Sequence, residues 1–304
     1  MTDAQIAAIG AYTPRLRIVA EEFEDAWGSF NAAGVKQKAV PEADEDALTM
    51  GVEAAERALD VAGYSGADVC HLAFATTSPP MAEEDLTARL VNVLGVPDGV
   101  TTRTMTGSTR VGAQALSGAL DAGPWGEKIG LVIISDCPKG APDSDVEHAA
   151  GAGSAALVVD GDGPGKVLDR TSHVDTYPGT RFRTGGDDKT TGLGVTQYDR
   201  EAFITTLGGA VDKLDDSLED VDAAAVQSPD GKLPYRATAA LGIDAETIAA
   251  AETVSSLGDT GAASVFIGAA TAFTQDTERL LVAAYGSGAG ANAILLEGPV
   301  PVES

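Results

Sequence analysis

Apolar residues are concentrated in short runs that turn-forming residues separate, which is the pattern of buried strands. Residues 6–14 predict a first strand that ends in a proline turn, and residues 71–77 predict another that a Ser-Pro-Pro sequence ends. Residues 131–135, Leu-Val-Ile-Ile-Ser, form a continuous apolar run of the kind buried on both faces in a parallel sheet. The pattern therefore predicts an α/β protein whose central strands are covered on both sides.

Helical spacing occurs between these strands. Apolar residues recur at this spacing over residues 47–59, with Asp44 predicted as the N-cap and Gly63 as the residue that ends the helix. The same reasoning predicts helices over residues 84–94 and 200–218. Strands and helices thus alternate along the chain.

Residues 101–120 begin as a threonine-rich strand and turn through Gly107 and Ser108 into an alanine-rich helix. One interpretation is that Ser108 or Thr109 caps a core helix, as small polar residues before an apolar run often do. The other is a nucleophile turn, in which the positive end of the helix stabilises a developing anion. No strong nucleophile lies in the stretch itself.

A repeat is the most informative internal feature. Residues 151–161, Gly-Ala-Gly-Ser-Ala-Ala-Leu-Val-Val-Asp-Gly, recur as residues 288–298, Gly-Ala-Gly-Ala-Asn-Ala-Ile-Leu-Leu-Glu-Gly. A small-residue helix and a strand precede each copy. We therefore expect two similar halves, an N-terminal one over residues 1–163 and a C-terminal one over residues 164–304. Residues 175–196 fit neither pattern and predict a long surface excursion, a feature that is often functional.

The net charge limits the partners. Lys and Arg number 20 against 46 Asp and Glu, a formal charge of −26, so nucleic acid and anionic membranes would be repelled. Aromatic content of 5% with few lysines is typical of a salt-adapted, halophilic surface. Two cysteines without paired spacing, no signal-like N-terminus and no membrane-length apolar run predict a cytoplasmic protein without a bound metal.

Five motifs occur in order along the chain: Ile-Gly-Ala-Tyr-Thr-Pro-Arg at 9–15, Lys-Ala-Val-Pro-Glu-Ala-Asp-Glu-Asp at 38–46, Gly-Ala-Pro-Asp at 140–143, Ser-Pro-Asp-Gly-Lys at 228–232 and Tyr-Gly-Ser-Gly-Ala-Gly at 285–290. Together they resemble the motifs of one enzyme family, the archaeal branch of the 3-hydroxy-3-methylglutaryl-CoA synthases. The resemblance implies a thiolase-like fold of two pseudo-symmetric α/β halves in layers. It also implies a homodimer, and a complex with a thiolase and a zinc-ribbon/OB-fold protein.

Members of that family use a cysteine that takes up an acetyl group, a glutamate that deprotonates it and a histidine that positions the second substrate. Carried over onto this sequence, the cysteine falls on Thr104, the glutamate on Thr77 and the histidine on Gln227. The asparagine of the family's Gly-Asn-Thr turn falls on Asp259. Threonine needs an adjacent base to act as a nucleophile, and the expected base is replaced as well. We therefore expect the family's condensing activity to be absent.

Binding residues survive better than catalytic ones. Lys232 matches a lysine near the family's CoA entrance, although an Asp-Gly-Lys turn is also common in plain hairpins. Gly286, Ser287 and Gly288 match a loop whose backbone faces the thioester, or form a simple strand connector.

These residues favour a protein that binds an acyl-CoA or acts as a scaffold and needs no other cofactor. The competing hypothesis is an active acyltransferase or condensing enzyme that works through other residues. A displaced pair of Cys137 and His148 is one such option.

Overall fold

The computed structural model describes residues 4–304. Its strands are β1 (Gln5–Tyr12), β2 (Leu16–Val19), β3 (Gln37–Val40), β4 (Val69–Ala75), β5 (Thr101–Met105), β6 (Ile129–Asp136), β7 (Gly153–Asp160), β8 (Lys166–Val174), β9 (Arg181–Phe182), β10 (Thr191–Gly192), β11 (Ala223–Val226), β12 (Arg279–Gly286), β13 (Gly290–Glu297) and β14 (Val302–Glu303). Its helices are α1 (Ala20–Trp27), α2 (Ala47–Ala62), α3 (Leu86–Val93), α4 (Val111–Ala122), α5 (Asp145–Ala149), α6 (Thr196–Val211), α7 (Thr238–Leu241), α8 (Ala245–Ala249), α9 (Val254–Leu257) and α10 (Ser264–Phe273).

Two sheets carry the fold. The first is six-stranded in the order β14-β1-β7-β6-β4-β5, and the second is four-stranded in the order β11-β12-β13-β8. Within the first sheet β7 is antiparallel to both β1 and β6, while β4 runs parallel to β6. Within the second, β13 is antiparallel to both β8 and β12, while β11 runs parallel to β12.

The two sheets therefore repeat one plan, and the repeated glycine-rich segments supply the equivalent strands β7 and β13. This confirms the prediction of two pseudo-symmetric halves in a thiolase-like arrangement. Strand β7 of the first sheet ends at Asp160, and the next strand along the chain, β8 of the second sheet, begins at Lys166. The division of the chain at residue 163 itself stays a prediction.

Helices α4 and α10 fill the space between the sheets. Their apolar side chains form one core cluster with the facing sides of both sheets, whereas α2 and α3 cover the outer face of the first sheet. Helix α6 and the short helices α7 and α8 cover the outer face of the second sheet. Close packing in the middle layer requires small residues: a Cβ on Gly112 would lie 2.8 Å from the side chains of Ile134 and Phe266.

Several predicted boundaries are wrong by a few residues. The N-cap of α2 is Asp46 rather than Asp44, because the Asp46 carboxylate accepts hydrogen bonds from the amides of Leu48 at 2.8 Å and Thr49 at 2.9 Å. Gly63 ends the helix in the left-handed conformation, as predicted. Helix α3 begins only after Asp85, which caps it, and α6 begins earlier and ends earlier than the predicted helix over 200–218.

The long excursion folds into a short hairpin of β9 and β10. Ser287 holds its first strand, since the Ser287 hydroxyl accepts hydrogen bonds from the amides of Thr180 and Arg181, both at 3.0 Å. Across residues 4–304, the helices are all too short or too polar to cross a membrane.

Candidate functional site

A cavity of about 640 Å³ opens where several strands end. Thr77 follows β4, the turn from Thr106 to Thr109 follows β5, and Gln227 follows β11, while Tyr285 and Ser287 come from the end of β12 and the loop after it. Ligands of α/β proteins commonly bind outside the carboxyl ends of parallel strands. The excursion supplies further lining residues, among them Arg181, Phe182, Arg183 and Leu193.

Asp136, at the end of β6, lies beside this cavity and binds a group of polar donors from Thr76, Thr77, Ser78 and Ala262, which we call the floor of the site. The carboxylate is fully buried and accepts six hydrogen bonds. Oδ1 accepts from the hydroxyls of Thr76 and Ser78 at 2.9 and 2.8 Å and from the amides of Thr77 and Ser78 at 2.7 and 3.0 Å. Oδ2 accepts from the Thr77 hydroxyl at 2.9 Å and the Ala262 amide at 2.6 Å. A buried carboxylate with this many donors is fully satisfied.

The Asp136 carboxylate also ties the two halves together. Ala262 lies in the turn of 3-10 helix that leads into α10, so the carboxylate lies at the positive end of a central helix. Gly261 has φ of +58°, and a Cβ there would overlap the Asp136 carboxylate. Only glycine fits both the backbone conformation and the close approach.

Two arginines of the excursion reach the same floor. Arg181 forms an ion pair with Asp259, whose carboxylate is 1% exposed and also accepts a hydrogen bond from the Gly261 amide at 3.0 Å. Burial alone would lower the pKa of Arg181, but the carboxylates of Asp259 and Asp136 outweigh it and raise the pKa above its usual value. Arg183 donates to the carbonyl oxygen of Thr77 at 2.7 Å. The excursion is therefore fixed onto the strand ends by charge-assisted bonds.

Gln227 is buried in the cavity wall, with a side chain that is 2% exposed. Its Nε2 donates to the carbonyl oxygen of Gly261 at 2.9 Å. Its Oε1 is buried and has no hydrogen-bond partner within residues 4–304.

The structure brings together some of the predicted catalytic positions. Thr77 and Gln227 line the cavity, and Asp259 holds its lining residue Arg181. Thr104 is exposed within β5, where it pairs with Phe74 of β4, and it does not line the cavity. The turn that does so is Thr106 to Thr109, because β5 continues to Met105 and α4 begins only at Val111. The position onto which the family's cysteine was carried, Thr104, therefore lies in the strand, and the residues at the mouth of α4 are those of this turn.

The predicted binding residues are likewise divided. Ser287 lines the cavity, and Gly286 packs so closely against Ser108 that a Cβ would overlap its side chain. Gly288 has φ of +96°, which favours glycine in the tight connection between β12 and β13. Lys232 is exposed and does not line the cavity, although its neighbours Asp230 and Leu233 do.

The proposed pair of Cys137 and His148 does not form. Cys137 is buried in the cluster beneath α2, its amide donates to the Ser78 hydroxyl at 2.8 Å, and burial raises the pKa of its thiol. His148 is also buried, but its Nδ1 accepts from the Asn31 amide at 2.9 Å and its ring stacks on Phe30. Neither side chain lines the cavity.

Asp136 and the arginines were not anticipated from the sequence. A carboxylate directly after a continuous apolar strand is a usable signal for Asp136, because such a strand end is buried and the charge must be satisfied there. Arg181 and Arg183 lie in a weakly patterned stretch that gives no such signal. Arg181, Arg183 and Arg200 line the cavity, whereas the cations Arg15, Arg17, Lys36, Lys38 and Lys139 lie outside its lining.

The cavity offers hydrogen bonds rather than nucleophilic chemistry. Among residues 4–304, its lining holds no cysteine, histidine or glutamate. The phenol of Tyr285 lines it, and burial together with Asp199 raises the pKa of that group to about 12, so it stays protonated at neutral pH. Three aspartates, Asp145, Asp199 and Asp230, also line the cavity. Its hydroxyl, amide and guanidinium groups hold a polar ligand, and a hydroxyl forms a covalent intermediate only when a base activates it.

The arrangement of layers and the cavity at the strand ends define a thiolase-like protein. A 3-oxoacyl-(acyl carrier protein) synthase III from Pseudomonas aeruginosa superposes with a TM-score of 0.87 at 16% sequence identity. The match covers 99% of this chain and 100% of that protein. A hydroxymethylglutaryl-CoA synthase crystallised with CoA superposes with a TM-score of 0.84 at 17% identity, over 97% of this chain and 82% of that one.

Sequence comparison is more specific than the fold. The chain is 30% identical to the hydroxymethylglutaryl-CoA synthase of Pyrobaculum aerophilum over 307 residues, 97% of this chain and 87% of that protein. It is also 30% identical to the synthase of Methanopyrus kandleri over 305 residues, 95% of this chain and 85% of that protein. No protein-family model matches the sequence. The chain belongs to the hydroxymethylglutaryl-CoA synthase family.

Proposed function

We propose that this protein binds a CoA thioester in the cavity and does not carry out the condensation for which its relatives are named. The observation that carries the proposal is the composition of the cavity lining, which holds no cysteine, histidine or glutamate within residues 4–304. The lining contains hydrogen-bonding groups, three arginines and the carboxylates of Asp145, Asp199 and Asp230. Arg181 is paired with Asp259 and Arg183 donates to the Thr77 carbonyl, so Arg200 is the lining arginine best placed to meet a CoA phosphate.

The magnitude of the expected loss supports this proposal. Each missing acid, base or nucleophile lowers a rate by about 10²–10⁴, and groups that act together are not replaced one by one. Thr77 is not a substitute base, because its hydroxyl donates to Asp136. A protein that keeps the fold and the cavity without these groups retains binding as its main property.

Calorimetric titration of acetyl-CoA into the protein tests the binding. We expect saturable binding that Thr106→Tyr weakens, because a larger side chain in the turn after β5 would occupy the cavity. Thr274→Tyr is the matched control, since Thr274 is exposed at the end of α10 and lies outside the lining. Absence of binding to wild-type protein would contradict the proposal. So would equal weakening by both variants.

We also propose that the protein is a homodimer. Strand β5 forms one edge of the six-stranded sheet, and its Thr-Thr-Arg-Thr-Met sequence leaves an exposed, β-branched edge suited to pairing with a second strand. Sedimentation of the wild type should give the dimer mass, and Thr102→Pro, which removes a backbone donor from this strand, should lower it. Association with a thiolase and a zinc-ribbon/OB-fold protein, implied by the family resemblance, is part of the same proposal.

A further inference from the structure

His148 occupies a buried junction behind one wall of the cavity. It belongs to α5, from which Val146 and Ala149 line the cavity, while its own side chain is 0% exposed and lies outside the lining. The ring of His148 stacks on Phe30, with 5.5 Å between the ring centroids. Phe30 belongs to residues 28–36, the loop between α1 and β3. His148 therefore joins this loop to the α5 wall.

The same loop is attached to a second wall of the cavity. The Gly231 amide donates to the carbonyl oxygen of Ala33 at 2.7 Å. Gly34 packs so closely on Gly231 that a Cβ on Gly34 would lie 2.9 Å from the Gly231 Cα. Gly231 belongs to the turn after β11, from which Pro229 and Asp230 line the cavity. The loop thus connects the α5 wall with the wall that follows β11.

The geometry of His148 fixes its protonation state. Nδ1 accepts a hydrogen bond from the Asn31 amide at 2.9 Å, so this nitrogen carries no hydrogen and the ring is neutral. The ring hydrogen is on Nε2, which lies 3.3 Å from Oδ1 of Asp143. A second proton would bind Nδ1, where it meets the N–H of Asn31 and breaks that bond. Turning the ring over would lose the same bond, because a C–H group would then face the amide.

The charged groups around the histidine do not change this conclusion. Asp143 faces Nε2 and attracts the charge of a protonated ring, but the added proton still displaces the bond at Nδ1. Oε1 of Glu147 lies 3.3 Å from Nζ of Lys38, and Lys38 lies over the ring of Phe23, which packs against the histidine. The loop contributes the uncharged ring of Phe30.

From this we propose that His148 is a positioning residue whose neutral ring holds residues 28–36 against α5, and that its protonation releases this loop and weakens ligand binding in the cavity. Histidine is the side chain that ordinarily changes charge between about pH 5 and 8. Because the bond requires the neutral ring, the loop is held above this range and released as the pH falls through it. The effect on the ligand rests on the CoA-thioester function proposed above, whereas the release of the loop does not.

Hydrogen exchange of the ligand-free protein tests the release, followed by mass spectrometry and corrected for the intrinsic effect of pH on amide exchange. We expect the protection of residues 28–36 to fall about fivefold or more from about pH 7.5 to about pH 5.5, the effect of losing one hydrogen bond. Unchanged protection in the wild type would overturn the proposal without any variant. So would an equal fall over the whole chain, which would report a general loss of stability in acid.

Two substitutions separate the titration of His148 from its packing. His148→Asn places an amide oxygen near the position of Nδ1 and does not titrate in this range, so it should keep the loop protected at both pH values. His148→Phe keeps an aromatic ring without an acceptor and should leave the loop exchanging fast at both. His173→Asn is the matched control, because His173 is half-buried in β8 and outside the cavity lining, and it should behave as the wild type does. A pH-dependent fall that persists in both His148 variants would assign the effect to another group and overturn the proposal.

Calorimetric titration of acetyl-CoA at the two pH values tests the coupling to the cavity. On acidification the wild type should lose about fivefold or more affinity beyond the loss shown by His148→Asn, a comparison in which the titration of the ligand phosphates cancels. Equal losses in the two proteins would overturn the coupling. If acetyl-CoA binds neither protein at either pH, the proposed function fails, and the exchange experiment still decides whether His148 holds the loop.

Discussion

Replacing Asp136 by asparagine should destabilise the protein far more than an ordinary surface substitution. An asparagine has one acceptor oxygen and one donor nitrogen, so each orientation sets an amide nitrogen against backbone N–H groups. The milder orientation places it at Oδ2, where Thr77 can turn its hydroxyl round but the Ala262 amide is left buried without an acceptor.

The size of the effect follows from these contacts. A buried backbone donor left unpaired costs about 1–3 kcal/mol, and the remaining bonds weaken because the acceptor is no longer charged. We expect Asp136→Asn to lower the free energy of unfolding by about 2–4 kcal/mol in total. For a chain of 304 residues, the unfolding entropy is about 0.64 kcal/mol/K, so this corresponds to a fall in Tm of roughly 3–6 °C.

Urea unfolding followed by circular dichroism gives the free energy directly, and a thermal scan gives the Tm. Asp98→Asn is the matched control, since Asp98 is exposed and accepts no side-chain hydrogen bond in the described part of the chain. If Asp136→Asn were as stable as Asp98→Asn to within about 0.5 kcal/mol, Asp136 would not hold the floor of the site.

Three further predictions follow from charge and close packing. Gly261→Ala should lower the free energy of unfolding by more than about 2 kcal/mol, measured by urea unfolding, because the new Cβ meets the Asp136 carboxylate at a φ of +58°; an unchanged midpoint would contradict that packing. Because the folded-state pKa of Tyr285 is raised to about 12, stability present below pH 10 should be lost as the pH rises toward 12, and Tyr285→Phe should remove part of this loss in unfolding curves across that range. Wild type and variant falling equally would show that the phenol does not contribute. At a net charge of −26, added salt should raise the Tm as the Debye length falls from about 10 Å at 0.1 M to about 3 Å at 1 M, and a Tm independent of salt would show that the charges are compensated locally.

The layered architecture was predictable because it depends on patterns that each segment carries by itself. The continuous apolar run of β6 and the glycine-rich repeats of β7 and β13 specify buried strands regardless of their partners. The unpatterned excursion over residues 175–196 is predicted from its length and composition, and several of its residues line the cavity.

The site was predictable only in part, because its contacts join residues far apart in sequence. Thr77 ends the strand that the apolar pattern predicts over residues 71–77, so its place at the cavity follows from the fold. Gln227 is singled out by the family resemblance, and it follows β11 at the same cavity. The family resemblance puts the cysteine position on Thr104, whereas Thr106 to Thr109 line the cavity. The sequence does not locate the end of β5, since threonine suits both a strand and the turn after it. The bond from Ala262 to Asp136 spans more than a hundred residues and leaves no local signal.

Intact-mass spectrometry after incubation with acetyl-CoA and acetoacetyl-CoA tests the central claim most directly, with calorimetry on the same preparation to establish that the thioesters bind. The account predicts binding with the mass of the protein unchanged and no hydroxymethylglutaryl-CoA released. A mass increase of one acetyl group, mapped to Thr106, Ser108, Thr109 or Cys137 and followed by release of that product, would contradict it and establish an active condensing enzyme that uses other residues.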